Sequence, residues 1–378
     1  MPIRTNDLVE QVATFARRTK LRDLIRRSPI AESVWGAARA ALVRDEQSPA
    51  SPSSHEAGAS NGAVASAPVE RIHQVVPHRF RKLLSERHGI PDLDGERDPL
   101  KRMYLDFALS TVKRALEVRE LVGSRVSIAG RKYLDVGCAY GGFLAAFASA
   151  GAIDVTGFDY DEKLLDYARA LLADHEVAAN VSWGSILDDV STRLGKFDLI
   201  TCNDVLEHVD DTGLALKNLA SLLAPGGYMF LEIPNRYSAD YVRKDGHFHK
   251  FGLTSLPKYL ADRRFEREEH RKHDVTYRSL DWYTNRLTRL GLTVTVENPL
   301  PSDAPSQFAR LSGVFDEVAY AAKSLPSLDP QTRRYATRAA SQFRDVHGKW
   351  RMSPSPELTR RIQLTWSEDF WRLSVRKL

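Results

Sequence analysis

A chain of 378 residues corresponds, at roughly 150 residues per domain, to two or three units or to one large domain with extensions. Its 43% hydrophobic content is globular, which argues against wholesale disorder, and no run of about 18 apolar residues is present to cross a bilayer. The net charge of +5 tolerates anionic partners without indicating nucleic acid. Cys138 and Cys202 are the two cysteines, which suits a reducing cytoplasm and excludes a disulfide scaffold or a cysteine zinc site.

The start has no apolar segment followed by a small-residue cleavage site, and Asp7, Glu10 and Asp23 argue against an organelle presequence, so a cytoplasmic protein is expected. Residues 1–46 carry helical periodicity on Leu8, Val9, Val12, Phe15, Leu21, Leu24 and Ile25. Arg17, Arg18, Lys20, Arg22, Arg26 and Arg27 make this extension basic. It reads as helices docked on the body or on a second subunit of a homodimer, or as an amphipathic helix on an anionic membrane surface. Residues 47–69 are rich in Ser, Ala, Pro and Gly, and their composition predicts a flexible linker.

From 98 onward helical and strand patterns alternate. A helix is expected over 99–121, with Tyr104, Phe107, Ala108 and Val112 on one face. Strands follow at 131–137, 154–159, 180–184, 197–203, 228–234 and 292–297, with helices at 143–150, 162–173, 213–223 and 283–290. Residues 303–366 read as a helical insertion broken at Pro326, Pro330, Pro354 and Pro356, before a last strand over 370–377. The pattern predicts an α/β, doubly wound (Rossmann-like) fold: seven strands, mostly parallel, with an antiparallel last strand. The expected boundaries are a core over 70–302, the insertion over 303–366 as acceptor lid or interface, and a core strand over 367–378.

The first strand runs into Asp135-Val-Gly-Cys-Ala-Tyr-Gly-Gly-Phe143. Gly137, Ala139, Gly141 and Gly142 let a ligand approach the backbone. This loop alone also fits a degraded dinucleotide fingerprint. Asp159 ends the second strand, 22 residues after Gly137, where a carboxylate can accept hydrogen bonds from a ribose diol. The fourth strand continues as Phe197-Asp-Leu-Ile into Asn203-Asp-Val-Leu-Glu-His-Val209, and Pro225-Gly-Gly precedes the fifth.

Together these segments resemble the class I S-adenosylmethionine (SAM)-dependent methyltransferases over 130–298, with Ala139 where that family usually has Gly. The resemblance implies that Asp135, Gly137, Cys138, Ala139, Gly141 and Phe143 lie around the methionine end of SAM, although Cys138 reads equally as a packing residue. It places Asp159 on the ribose, Tyr160 against the adenine, Ser185 and Ile186 at the adenine edge, and Asn203 facing the sulfonium. It implies methyl transfer, most directly to an oxygen of a small-molecule, sugar or lipid-linked acceptor.

Candidates for removing the acceptor's proton are Glu207, His208, His247 and His249, the histidines acting near their ordinary pKa. Asp204-x-x-Glu207-His208 with the later His249-Lys-Phe is also similar to small-RNA 2′-O-methyltransferases, and its first part to ubiquinone-biosynthesis O-methyltransferases. That likeness implies a divalent metal, Mg²⁺ or Mn²⁺, on Asp204, Glu207, His208 and His249. The Glu-His-Val segment also occurs in metal-free relatives, and Asp204 is one methylene shorter than the usual Glu. A non-catalytic SAM-binding scaffold subunit and an RNA 2′-O-methyltransferase remain as alternatives. A NAD-dependent oxidoreductase is disfavoured by the absence of a second nucleotide half.

Overall fold

The computed structural model describes residues 72, 75–188 and 194–378. The basic extension over 1–46 and the linker over 47–69 lie outside the described residues. The described residues up to 97 and those from 101 to 378 form one compact unit. The core, the insertion and the last strand therefore belong to a single body.

Seven strands build one sheet: β1 (Lys132–Val136), β2 (Ile153–Asp159), β3 (Asn180–Trp183), β4 (Phe197–Asn203), β5 (Leu223–Pro234), β6 (Leu292–Val296) and β7 (Phe370–Lys377). Their order is β3-β2-β1-β4-β5-β7-β6. The first five are parallel, and β7 runs antiparallel between β5 and β6. The expected doubly wound, Rossmann-like sheet with an antiparallel last strand is thus what the chain forms. The winding reverses between β1 and β4, and the crevice outside the carboxyl ends of these strands is where such sheets bind ligands.

Burial on both faces explains why β1 and β4 read as apolar runs. Tyr133, Leu134, Leu199, Ile200 and Cys202 are all completely covered. Helices α1 (His78–His88), α2 (Pro99–Leu109) and α3 (Thr111–Gly123) precede the sheet, and α4 (Gly142–Ser149), α5 (Glu162–Asp174) and α6 (Thr212–Leu222) follow its strands. The single helix expected over 99–121 is two, divided at Ser110. The fifth strand starts at Leu223, opposite Phe197, rather than at 228, and takes in the Pro-Gly-Gly segment with a register shift.

Beyond β5 come α7 (Ala239–Arg243), α8 (Lys258–Glu269) and α9 (Leu280–Arg289). The insertion forms α10 (Ala304–Ser324), α11 (Pro330–Met352) and α12 (Pro356–Ile362). Pro330 and Pro356 open helices here. Asp303, Asp329 and Ser355 cap the three helices by accepting from the amides of Ser306, Thr332 and Leu358. Phe308, Phe315, Phe343, Trp350 and Trp366 form the insertion's core, joined by Ala239 and Val242 of α7. The insertion is therefore seated on the segment that leaves β5.

Candidate functional site

Gly137 and Gly141 adopt left-handed backbone at φ 75° and 80°. A side chain on Gly137 would strike Val205 Cγ2 at 2.3 Å, so the turn after β4 presses directly on the loop after β1. Ala139 also takes a positive φ, 42°, which disfavours any residue with a Cβ. Its N–H donates to the Asp159 carboxylate at 3.0 Å, and the other Asp159 oxygen accepts from Asp161 at 2.9 Å. Asp159 thus clamps the loop as well as standing where a ribose is expected.

The expected Asp135, Cys138 and Phe143 have clear places, as does Tyr140 beside them. Asp135 is buried and accepts from the Thr201 hydroxyl at 2.6 Å, with Tyr133 OH on the same oxygen of Thr201. Burial pushes the Asp135 carboxyl up to about 7 against that hydrogen bond. Cys138 packs beneath the loop, with its Cβ facing Gly157. Burial raises its thiol pKa well above the ordinary range, as a packing residue requires. Tyr140 anchors the loop in an aromatic cluster with Phe80, Phe107 and Tyr167. Phe143 lies on α4 near Phe147.

At the β2–β3 edge, Tyr160 is half exposed, and Trp183 donates its indole N–H to the Tyr160 carbonyl at 2.9 Å. Ser185 accepts from the Leu187 amide, and Ile186 is buried with its carbonyl held by Asn218. Asn203 ends β4. Both its amide atoms are buried without a hydrogen-bond partner, an arrangement that a polar ligand would relieve.

The turn after β4 brings Glu207 against the segment after β5. Glu207 is 1% exposed, and neither carboxylate oxygen has a hydrogen-bond donor. His208 Nε2 lies 3.5 Å and His247 Nε2 3.6 Å from Oε1. One ligating atom from each of Glu207, His208 and His247 falls within 4.8 Å of the others. Asp204 and His249, expected in the metal set, are not members of this group. Asp245 accepts the amides of His247 at 3.1 Å and Phe248 at 2.5 Å, and its carbonyl takes the His249 amide. This turn brings His247 to Glu207, while His249 leaves it in left-handed backbone at φ 56°.

The electrostatics also depart from expectation. Burial pulls the His247 pKa down, but Asp245 and Glu207 on its two sides outweigh it and hold the imidazole at about 10. It is a cation at neutral pH, where a resting base near 6.5 had been expected. Burial works against the Asp245 carboxylate, yet His247 and the two turn amides keep it below the usual range. Asp204 is shifted upward by burial and by the neighbouring Glu207 and Glu232.

Three residues carry no motif signal. Arg114 of α3 lies over the Phe107 ring at 3.9 Å. Burial lowers its pKa, opposed by the attraction of Asp204 and Glu232. Tyr277 bonds both Asp245 and His247. Arg236 ties the carbonyls of Thr254, Leu256 and Tyr277 together behind the site. Asp245, to which Tyr277 donates, lies two residues before the expected His247.

A family profile described as a methyltransferase domain matches residues 104–297, just over half the chain. The chain is 28% identical over 230 residues to a ubiquinone biosynthesis O-methyltransferase of Vibrio parahaemolyticus, an alignment that covers 61% of this chain and 90% of that one. It is 40% identical over 127 residues to the protein of the same name from Bordetella avium, covering 33% and 50%. The chain thus spans half the length of that second relative. A solved SAM-dependent methyltransferase from Mesorhizobium loti is similar at 17% identity and TM-score 0.41, covering 70% of this chain and 99% of that one. Among the described residues no helix is long and apolar enough to cross a membrane.

Proposed function

The chain belongs to the methyltransferase-domain family as a class I SAM-dependent methyltransferase, and from that premise we propose that it methylates a hydroxyl held beside Glu207 and His247. One observation carries this reading: a fully buried carboxylate with no donor, faced by two imidazoles. The His247 imidazolium balances its charge from 3.6 Å, but neither oxygen accepts a hydrogen bond, a cost that a ligand hydroxyl would relieve. The names of the similar ubiquinone-biosynthesis proteins support oxygen as the acceptor atom.

In this reading Asp159 accepts the ribose hydroxyls, the Gly137–Gly141 turn admits the methionine end, and Asn203 gives its unpartnered amide to the cofactor. Arg114 offers a cation to the cofactor's carboxylate from the α3 side. The acceptor's hydroxyl donates to Glu207. SAM held there would supply an electrophilic methyl group with its thioether sulfur as the leaving group, and Glu207 would take up the acceptor's proton. The His247 imidazolium stabilises the charge developing on the oxygen. This arrangement gives the base role to Glu207, with His247 as its charged partner.

Once His247 gives up its proton, the donor set also fits a divalent cation such as Mg²⁺ or Mn²⁺, since one carboxylate and two imidazoles converge on a common point. Bound there by Glu207, His208 and His247, such an ion would supply Lewis acidity that lowers the hydroxyl's pKa. The test is turnover on a panel of aromatic and sugar hydroxyls, with and without chelator. Glu207→Gln should cut turnover roughly 10²–10⁴-fold and leave SAM affinity within a few-fold. Loss of activity in chelator with recovery in Mg²⁺ or Mn²⁺ would select the metal form. Full activity of Glu207→Gln would overturn both forms.

A further inference from the structure

Tyr277 lies outside every motif of the chain, yet it touches both ends of the arrangement at Glu207. Its hydroxyl donates to Asp245 Oδ1 at 2.9 Å and lies 2.6 Å from His247 Nδ1. A phenol has one proton to give. Asp245 is fully buried, and it already accepts two backbone amides from the turn that carries His247. As a carboxylate it can only accept, so the Tyr277 proton is committed to it. Tyr277 can then meet His247 only as an acceptor, and Nδ1 must carry a hydrogen.

We propose that Tyr277, acting with Asp245, is a positioning residue that fixes His247 with its hydrogen on Nδ1 and presents Nε2 to the acceptor site. The assignment rests on the reading of Glu207 and His247 given above. It follows from the direction of one hydrogen bond and does not depend on which group is methylated.

Other contacts hold Tyr277 in place for this task. Its ring packs edge-on to the imidazole at 5.7 Å between centroids. Its carbonyl is held by Arg236 at 3.2 Å. The neighbouring Thr276 amide donates to the Glu207 carbonyl at 2.7 Å. The segment over 276–277 therefore joins the turn after β4 to the turn after β5 and sets the separation of Glu207 and His247. A side chain on Gly246 would strike the Tyr241 ring at 2.8 Å, so the His247 turn is also packed from its other side.

The experiment is proton–nitrogen NMR on protein labelled with ¹⁵N-histidine, comparing the full chain with Tyr277→Phe, Asp245→Asn and His247→Gln. His273 Nδ1, 2.8 Å from Asp262, should give a hydrogen-bonded Nδ1–H signal too, and the signal that vanishes in His247→Gln belongs to His247. Tyr277→Phe keeps the ring and removes only the hydroxyl. It should lose or strongly shift that signal while its melting temperature and SAM affinity stay close to those of the parent. With catechol as probe acceptor, it should lower kcat about tenfold or more and leave the KM for SAM within twofold. Asp245→Asn should perturb the same signal, because the phenol proton is then no longer committed.

A His247 Nδ1–H signal unchanged in folded Tyr277→Phe overturns the proposal. So does unchanged kcat in that variant when His247→Gln is impaired. If His247→Gln itself retains full turnover, the catalytic reading of Glu207 and His247 fails, and the NMR comparison still decides whether Tyr277 holds the Nδ1 hydrogen.

Discussion

The Asp159 carboxylate at the end of β2 accepts the backbone N–H of Ala139 at 3.0 Å, so the side chain proposed to hold the ribose also shapes the glycine-rich turn. Asp159→Asn should weaken SAM binding by more than tenfold, because charged hydrogen bonds of this kind contribute roughly 1.5–3 kcal/mol. Asp159→Ala should also speed amide exchange at Ala139. Calorimetric titration and hydrogen exchange report the two effects separately. Undiminished SAM affinity in both variants would remove Asp159 from the cofactor site.

Ala139 occupies a conformation that glycine adopts freely, with φ at 42°. Ala139→Gly should relieve strain of about 1–2 kcal/mol, partly offset by about 0.4–1 kcal/mol of unfolded-chain entropy. The net expectation is unchanged or slightly raised stability in urea unfolding, with SAM affinity retained. Ala139→Val, β-branched in the same backbone, should destabilise clearly. A stable valine variant would mean that the turn relaxes to another conformation.

The parallel strands are legible in the chain because burial on both faces makes them continuous apolar runs, as at Tyr133, Leu134, Leu199 and Ile200. The glycine-rich turn and Asp159 are legible for a similar reason, since close approach and a strand-end carboxylate restrict residue type. His247 and His249 are not distinguishable in this way, because they lie two residues apart in one polar segment. Which of them reaches Glu207 is decided by the Asp245 turn and by Tyr277, 32 residues further on. The imidazolium character of His247 was hidden too, since it comes from Glu207 and Asp245 meeting across separate loops. In the insertion the helices break where the prolines were read, with Pro326 and Pro354 in the breaks and Pro330 and Pro356 opening the helices that follow, behind the Asp329 and Ser355 caps.

Asp135 makes stability depend on pH. Its ordinary value of 3.8 rises to about 7 in the folded chain, because burial penalises the charged form. The folded state therefore holds this proton more tightly than the unfolded chain. The resulting stability is present below about pH 4 and is lost as pH climbs through about 7. Asp135→Asn keeps an acceptor for Thr201 and cannot ionise. Without cofactor it should match the parent near pH 4 and exceed it at pH 8 by on the order of 2–4 kcal/mol. Denaturant titrations at pH 4, 6 and 8 would test this, and parallel pH profiles for the two proteins would contradict it.

Asn203 combines a stability cost with a proposed binding role. Its amide nitrogen and oxygen are both buried at the end of β4 with no hydrogen-bond partner, while its backbone pairs with Glu232 in the sheet. A buried polar group left in this state costs about 1–3 kcal/mol, so the residue is poorly placed unless something completes it. Asn203→Val has nearly the same volume, favours a strand, and removes the unmet polar atoms. The cofactor-free variant should therefore be more stable by about 1–2 kcal/mol. The same change should weaken SAM at least several-fold, so that saturating SAM raises the variant's melting temperature less than the parent's. Both measurements come from thermal unfolding with and without SAM. A gain in stability with full SAM affinity would make Asn203 a bystander. A loss of stability would show that its amide has a partner in the fold, and the cofactor role would then pass to the backbone of the turn it precedes.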